Sequence, residues 1–316
     1  MILMQTITPT LVRAKEVAVS IIGAGIVGRA TGIGLREIGH RPIFFDTSTQ
    51  VQTELTKKGL PIAGSIKKAV DNSGIVMLSV PTPTISGQMS LKHVIGACAK
   101  IGEALRERSE YKVVVIRSTV LPGSTREKVV PILEKQSHRR AGPDFGVCMQ
   151  PEFLTTRNAL HDFLSPDRIV IGEIDARSGD MLERLYQPFG KPIVRCSLEE
   201  AELIKYACNA FLAAKISFFN EVFSVCRKTG ADPKVIGHAA ALDHRIGEYG
   251  VVGGRAFDGS CLPKDLKALT TFVKQLGENP RMLKATADVN NRFNRDDEDL
   301  HRRRPKGKNS RRGQKA

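Results

Sequence analysis

Of the six cysteines in the chain, one stands where a thiol can do chemistry. Cys261 closes the run Gly253-Gly254-Arg255-Ala256-Phe257-Asp258-Gly259-Ser260 and is followed by Leu262-Pro263-Lys264-Asp265, the pattern of a glycine-rich loop that feeds a helix. The N–H groups at a helix N-terminus carry partial positive charge, and with Lys264 beside them they make electropositive ground on which a thiol acts as a nucleophile. A lone cysteine is more often a small buried residue. Here the glycines, the Pro-Lys-Asp that follows and a nucleotide motif far upstream reverse that weighting. Lys205 and Asn209 lie four residues apart, on one face of a helix. On spacing alone, a snorkelling lysine beside a surface amide is an equally good reading. Near a cofactor, a desolvated lysine with an amide partner is an oxyanion clamp.

The upstream motif is Gly23-Ala24-Gly25-Ile26-Val27-Gly28, which follows the apolar run 17–22 and opens a helical pattern over 29–38. Strand, tight turn and helix in that order let the backbone approach a pyrophosphate, whose charge the helix N-terminus stabilises. A second strand over 42–45 ends at Asp46, eighteen residues past Gly28, where a carboxylate can accept hydrogen bonds from the adenosine ribose. Asp46 is followed by Thr47 and Ser48, with no nearby arginine to meet a 2′-phosphate, which favours NAD over NADP. The cofactor set read here is Gly23, Gly25, Ile26, Val27, Gly28 and Asp46.

Strand and helix then alternate: strands over 74–80 and 112–116, and helices near 91–106 and 125–134. Units of this length predict an α/β fold, a Rossmann-type doubly wound parallel sheet. Ligands bind such sheets beyond the carboxyl ends of the strands, and the unusual segments lie there: Val80-Pro81-Thr82-Pro83, Arg117-Ser118-Thr119 and Pro151-Glu152-Phe153-Leu154. Each alone reads as turn chemistry; three at successive strand ends predict a cleft. Short strands at 168–171 and 193–194 close this domain, set at 17–196. Ser197-Leu198-Glu199-Glu200 is a capping box opening a long helix to about residue 228, with apolar residues on most faces. It predicts a buried core or dimer helix in a small all-α domain over 197–294. That domain continues through a helix started by Asp232-Pro233 and helices over 263–276 and 281–293, with order ending near Asn294.

A length of 316 residues with 41% hydrophobic content suits two domains with real cores. No apolar run reaches membrane-spanning length. Residues 1–16 lack a signal-peptide pattern and read as a loose extension. The cysteines (98, 148, 196, 208, 226 and 261) show no metal or disulfide spacing, which points to a reducing, cytoplasmic setting. The net charge is +15, but eight of the 48 Lys and Arg fall in 301–316 with no acid, leaving 40 bases against 33 acids, or +7, before it. The segment 295–316 is expected to be a disordered basic tail. A solvated tail and weak attachment to RNA or an anionic lipid surface fit its composition equally.

Taken together, these pieces resemble the UDP-glucose/GDP-mannose dehydrogenase family from about residue 17 to 291. The likeness rests on the glycine motif, Val80-Pro-Thr-Pro83, Arg117-Ser-Thr119, Pro151-Glu-Phe-Leu154, Lys205-Tyr-x-x-Asn209, Asn220-Glu221, Asp243-x-Arg-Ile-Gly247 and Gly259-Ser-Cys-Leu-Pro-Lys-Asp265. The resemblance implies oxidation of a nucleotide sugar at its 6-hydroxyl to the uronate, with NAD, through a thiohemiacetal and a thioester on Cys261. It implies Lys205 and Asn209 as oxyanion stabilisers, Asp265 with Thr119 as groups that position or activate water, and Glu152 as an acid/base or water-orienting group beside the sugar. Val80, Pro81, Thr82, Thr119 and Lys264 fall to the cofactor; Phe153, Leu154 and Phe257 fall to the substrate with Glu152, Lys205 and Asn209. Arg245 is expected to reach substrate across a dimer. The sequence also departs from the family. A third, C-terminal domain usual there is replaced by the basic tail, and the segment 47–73 is trimmed. The acid expected four residues after Glu152 is Thr156, and a glycine of the cysteine loop is Asp258, which predicts local backbone strain. A two-electron β-hydroxyacid-type dehydrogenase and a catalytically weakened NAD- or nucleotide-sugar-binding protein rank behind the four-electron reading. The two-electron type needs no nucleophilic cysteine.

Overall fold

The protein is described by a computed structural model over residues 16–85, 88–107, 109–259 and 261–302, with backbone alone over 296–302. The expected N-terminal extension up to residue 15 and the basic run from residue 303 lie outside the described residues. The strands are β1 (Ala18–Ile22), β2 (Arg41–Phe45), β3 (Ile75–Leu78), the short β4 (Thr84–Ile85) and β5 (Gln88–Met89), β6 (Val113–Ile116), β7 (Gly146–Met149), β8 (Ile169–Glu173) and β9 (Ile193–Ser197). The helices are α1 (Ile26–Glu37), α2 (Thr49–Lys57), α3 (Ile66–Asp71), α4 (Lys92–Arg106), α5 (Val130–Ser137), α6 (Ala159–Leu164), α7 (Ala176–Tyr186), α8 (Leu198–Thr229), α9 (Pro233–Ala241), α10 (Leu262–Gln275) and α11 (Arg281–Arg302). By internal contacts the chain divides within α8, after Lys205, into two units.

The first unit is built on one seven-stranded sheet in the order β2-β1-β3-β6-β7-β8-β9. The strands β3 (Ile-Val-Met-Leu) and β6 (Val-Val-Val-Ile) are buried at every position, as sheets covered on both faces require. One face carries a core that includes Ile66, Val94, Ile101, Leu133 and Leu198; the other packs Leu35, Phe163, Leu182 and Leu185. The sheet is the expected Rossmann-type one, parallel in every pairing but one. β8 pairs antiparallel with β7, Cys148 with Glu173 and Met149 with Gly172, while β9 runs parallel to β8. The last two strands therefore run against the other five. The connecting helix α6 packs on α1, with Phe163 in the space left by Gly34, instead of bridging two parallel strands. The periodicity also passed over β7, α6 and the two helices of the segment 47–73. Those two are α2 and α3, capped by the hydroxyls of Ser48 and Ser65.

α8 opens with the expected reciprocal box: Glu200 N donates to Ser197 Oγ at 3.2 Å, and Ser197 N donates to Glu200 Oε2 at 2.7 Å. The second unit consists of the rest of α8 with α9, α10 and α11. Its buried apolar residues include Tyr206, Phe219, Val251, Phe257, Leu266, Leu269 and Phe293. α8 is not buried all round: Phe211, Phe218 and Val225, at seven-residue spacing, are 60–67% exposed. α11 runs on to Arg302, well past Phe293 where the apolar pattern placed its end, because nothing in Asn294-Arg-Asp-Asp-Glu-Asp-Leu breaks a helix.

Candidate active site

In the first unit the glycine turn joins β1 to α1. Gly23 has φ +90°, and a Cβ there would come within 2.8 Å of Ser79 O. A Cβ on Gly28 would come within 2.0 Å of Gly23 O, so this helix approaches the turn only without a side chain. Gly25 differs, since a Cβ there meets nothing within 4 Å. It is the N-cap of α1 and offers no side-chain cap to the N–H groups of the first turn, which includes Ile26, Val27 and Gly28, and that turn contains no acid. Open space facing unsatisfied N–H groups fits a diphosphate. Asp46 is drawn to the same turn: Ala24 N donates to Oδ2 at 2.7 Å and Ser48 N to Oδ1 at 2.8 Å. The neighbouring Arg29 is engaged, its Nε on Ala24 O at 2.8 Å and its Nη1 on Glu54 at 2.7 Å.

The loops after β3 and β6 are stitched together. Thr82 Oγ1 donates to Thr119 O at 2.8 Å and Ser118 Oγ to Val80 O at 2.7 Å, while Pro81 stays exposed between them. Two of the three strand-end segments thus meet. A residue that sequence reasoning missed secures the loop after β6. Glu202, fully buried on the first turns of α8, accepts Gly123 N at 2.6 Å and Thr125 N at 2.8 Å. Burial pushes its carboxyl up from the ordinary 4.5 to about 7, and Glu199 nearby adds to this, against the lowering effect of the two N–H bonds. The N–H pair opens a π-helical turn, Thr125–Val129, that runs into α5.

The third strand-end segment, after β7, holds Glu152 and Phe153. Lys205 is 3% exposed and its Nζ lies 2.6 Å from Glu152 O and 3.0 Å from Glu152 Oε1. Glu152 Oε2 accepts Leu154 N at 2.8 Å, so the carboxylate folds back over its own turn. The Phe153 ring has the Arg168 guanidinium 4.1 Å and Lys205 Nζ 5.6 Å from its centroid. A cavity of about 440 Å³ borders Glu152, Phe153 and Leu154 and is completed by Arg117, Arg168 and Tyr186. Thr156 is exposed, and Thr155 bonds Asp162 through N (2.7 Å) and Oγ1 (2.6 Å).

In the second unit Cys261 is half-buried at the N-cap of α10, and Asp265 N closes the first helical bond on Cys261 O at 2.9 Å. Asp265, 1% exposed, accepts Asn209 Nδ2 at 2.6 Å and Lys264 Nζ at 2.5 Å. Asn209 is therefore engaged with Asp265, whereas Lys205 is engaged with Glu152; the clamp read from their spacing is two pairs with separate partners. Lys264 likewise stands on Asp265. Arg245 is exposed, with its guanidinium on the Asp243 carboxylate (Nη2 to Oδ2, 2.5 Å). Asp258 is exposed and is not at positive φ, so the expected strain is absent; the glycines at 253, 254 and 259 take the left-handed conformations instead. Elsewhere in the chain, burial pushes the Cys98 and Cys148 thiols up to about 12 and Cys196 to about 11. Phe257 is buried, and its backbone is held by Asn290 of α11, a second residue that sequence reasoning missed. Its signal was a carboxamide on the buried stripe Thr286, Asn290, Phe293.

Residues 17–190 match the NAD binding domain of the UDP-glucose/GDP-mannose dehydrogenase family, and residues 199–292 match its central domain. The chain belongs to this family. It is 38% identical over 288 residues to a GDP-mannose 6-dehydrogenase of Pseudomonas aeruginosa, covering 84% of this chain and 66% of that protein. Among solved structures, a UDP-glucose dehydrogenase from the archaeon Pyrobaculum islandicum superimposes with a TM-score of 0.84 at 32% identity, over 91% of this chain and 71% of that one. A ternary complex of GDP-mannose dehydrogenase from Pseudomonas aeruginosa gives 0.69 at 36%, over 90% and 70%. The chain thus spans about two thirds of the length of the family members it matches. The glycine turn and Asp46 described above lie in the region matched by the family's NAD binding domain, so NAD is the cofactor of this fold. Among the described residues, no cluster of three or more His, Cys, Asp or Glu could hold a metal ion, and no helix is long and apolar enough to cross a membrane.

Proposed function

We propose that this chain carries out NAD-dependent oxidation of a nucleotide sugar, of the UDP-glucose or GDP-mannose type, from the 6-hydroxyl to the carboxylate. The observation that carries this reading is the placement of Cys261 at the N-terminus of α10, one turn before a buried Asp265 that is itself held by Asn209 and Lys264. When bound, NAD would be held by the glycine turn and Asp46 and would accept one hydride, and a fresh NAD exchanged for the NADH would accept the second. The 6-hydroxyl first loses its proton and C6 a hydride to give an aldehyde, for which the Lys205–Glu152 pair is suited: an ammonium to stabilise the oxyanion and a carboxylate to take the proton. The Cys261 sulfur then adds to the aldehyde carbon, and the thiohemiacetal loses a second hydride to become a thioester. Water oriented by Asp265 and Thr119 cleaves the carbon–sulfur bond, releasing the carboxylate and restoring the thiol. Phe153, Leu154 and Phe257 provide apolar surface for the sugar.

We further propose a homodimer formed through α8, whose exposed Phe211, Phe218 and Val225 form one stripe, with Arg245 reaching the partner's substrate. The cytoplasm is the proposed setting, with reduced cysteines as support.

The test is stoichiometric. Supplied with UDP-glucose or GDP-mannose, the protein is expected to form two NADH per sugar consumed, and Cys261→Ser to lose the second. One NADH per sugar from the unaltered protein would instead place it with the two-electron dehydrogenases. No NADH with either sugar would leave a binding protein.

A further inference from the structure

The loop before Cys261 contains three glycines at positive φ and would be expected to wander, yet its backbone is held at two places by buried carboxamides. Asn220, on α8 and fully buried, accepts Gly254 N at Oδ1 (2.8 Å) and donates from Nδ2 to Arg255 O (2.8 Å). Asn290, on α11 and 5% exposed, repeats the arrangement three residues on. Its Oδ1 accepts Phe257 N at 2.7 Å and its Nδ2 donates to Phe257 O at 3.1 Å. A primary amide that pairs with both polar groups of a backbone stretch does what a neighbouring strand would do, and satisfies donors and acceptors that burial would otherwise leave unpaired. The approach is close as well. A Cβ on Gly253 would come within 2.3 Å of Phe219 O, and one on Gly254 within 2.9 Å of the Phe223 ring. The loop is thus pressed on α8 at one end and tied to α11 at the other, four residues ahead of the thiol.

We infer that Asn290, together with Asn220, is a positioning residue for Cys261: the two carboxamides fix the backbone over 254–257 and thereby the place at which the thiol meets the N-terminus of α10. Asn290 touches no reacting atom and acts through Phe257. The inference takes from the proposed function only that Cys261 is the reacting thiol.

Alkylation of the full chain by iodoacetamide, followed peptide by peptide by mass spectrometry, reads Cys261 beside Cys208, a half-buried thiol on α8. Asn290→Asp keeps the size and the acceptor but sets a second acceptor against Phe257 O. The expected result is labelling of Cys261 about tenfold faster, the factor set by losing one buried hydrogen bond worth ~1.4 kcal/mol. Cys208 is expected to keep its rate, and NAD affinity measured by calorimetry to stay the same. An unchanged Cys261 rate overturns the inference. So does a parallel rise at Cys208 and the buried Cys226, which reports general loosening and not positioning. If the variant does not fold, amide exchange in the unaltered protein decides: Gly254 and Phe257 are expected to exchange as slowly as helix amides while Asp258 exchanges fast, and fast exchange at Phe257 overturns the clamp. Neither measurement depends on turnover, so a protein that passes both and forms no NADH retains this inference and loses the proposed function.

Discussion

At the scale of single residues, the chemistry-bearing side chains are mostly spoken for by one another. Lys205 is bound to Glu152, Asn209 and Lys264 are bound to Asp265, and Arg245 is bound to Asp243. The sequence places each of these residues but not these pairings, because Lys205 and Glu152 lie 53 residues apart and Asn209 and Asp265 lie 56 apart. The place of Asp46 beside the glycine turn was legible, since it follows from the strand that ends there and from the turn itself. Glu202 was not legible. A glutamate in the first turns of an amphipathic helix reads as solvated, and only the fold shows it buried on two N–H groups. Its titration has a definite sign. With the folded carboxyl raised from 4.5 to about 7, the stability it allows is complete below about pH 4.5 and is lost as pH rises towards and through 7. The unfolded chain gives up its proton before the folded one does. Relative to Glu202→Gln, the unaltered protein is expected to lose on the order of 3 kcal/mol between these limits, read by urea unfolding at a series of pH values. Identical pH profiles for the two proteins would show that Glu202 does not titrate as its burial demands.

At the scale of elements, the glycine turn makes a prediction that separates binding from folding. Gly25→Ala adds a methyl to open space at the N-cap of α1, where φ is −68°, so the fold tolerates it. That methyl stands where a diphosphate would lie, and calorimetry is expected to show NAD binding reduced with the melting temperature unchanged. Gly28→Ala forces a Cβ within 2.0 Å of a backbone carbonyl, so α1 must move off β1. It is expected to lower the melting temperature as well, with a cost of roughly 1–3 kcal/mol for overpacking. Equal melting temperatures for the two variants would contradict the packing described. Most elements were legible: β1, α1, β2, α4, β6, α8 and α10 follow from runs of apolar residues, glycine breaks and caps. The direction of β8 was not, because an apolar strand looks the same whichever way it runs, and only its neighbour decides.

At the scale of the whole molecule, the proposed dimer can be tested through its stripe. Phe218, 61% exposed in the chain by itself, is expected to be covered in solution. Light scattering at micromolar concentration should report a dimer, and Phe218→Glu a folded monomer with unaltered circular dichroism. A monomeric unaltered protein would remove α8 as the interface. The switch in periodicity after residue 197 reads as a change from sheet to helix, whereas the contacts separate within α8, after Lys205, a point not legible in the sequence because a helix carries no sign of where its neighbours change. The reversal of β8 has a further consequence for how such a chain can diversify. Because β7 and β8 run in opposite directions, the nineteen residues between Met149 and Ile169 leave and re-enter the sheet at the same edge, as a hairpin loop does. Their length is therefore not set by the span of a crossover, and among their ties are Phe163 against Gly34 and Glu152 on Lys205. The stretch that holds Glu152, Phe153 and Leu154 is in effect an exchangeable cassette: new residues can be inserted between Leu154 and α6 to suit another ligand while every hydrogen bond of the sheet stays in register.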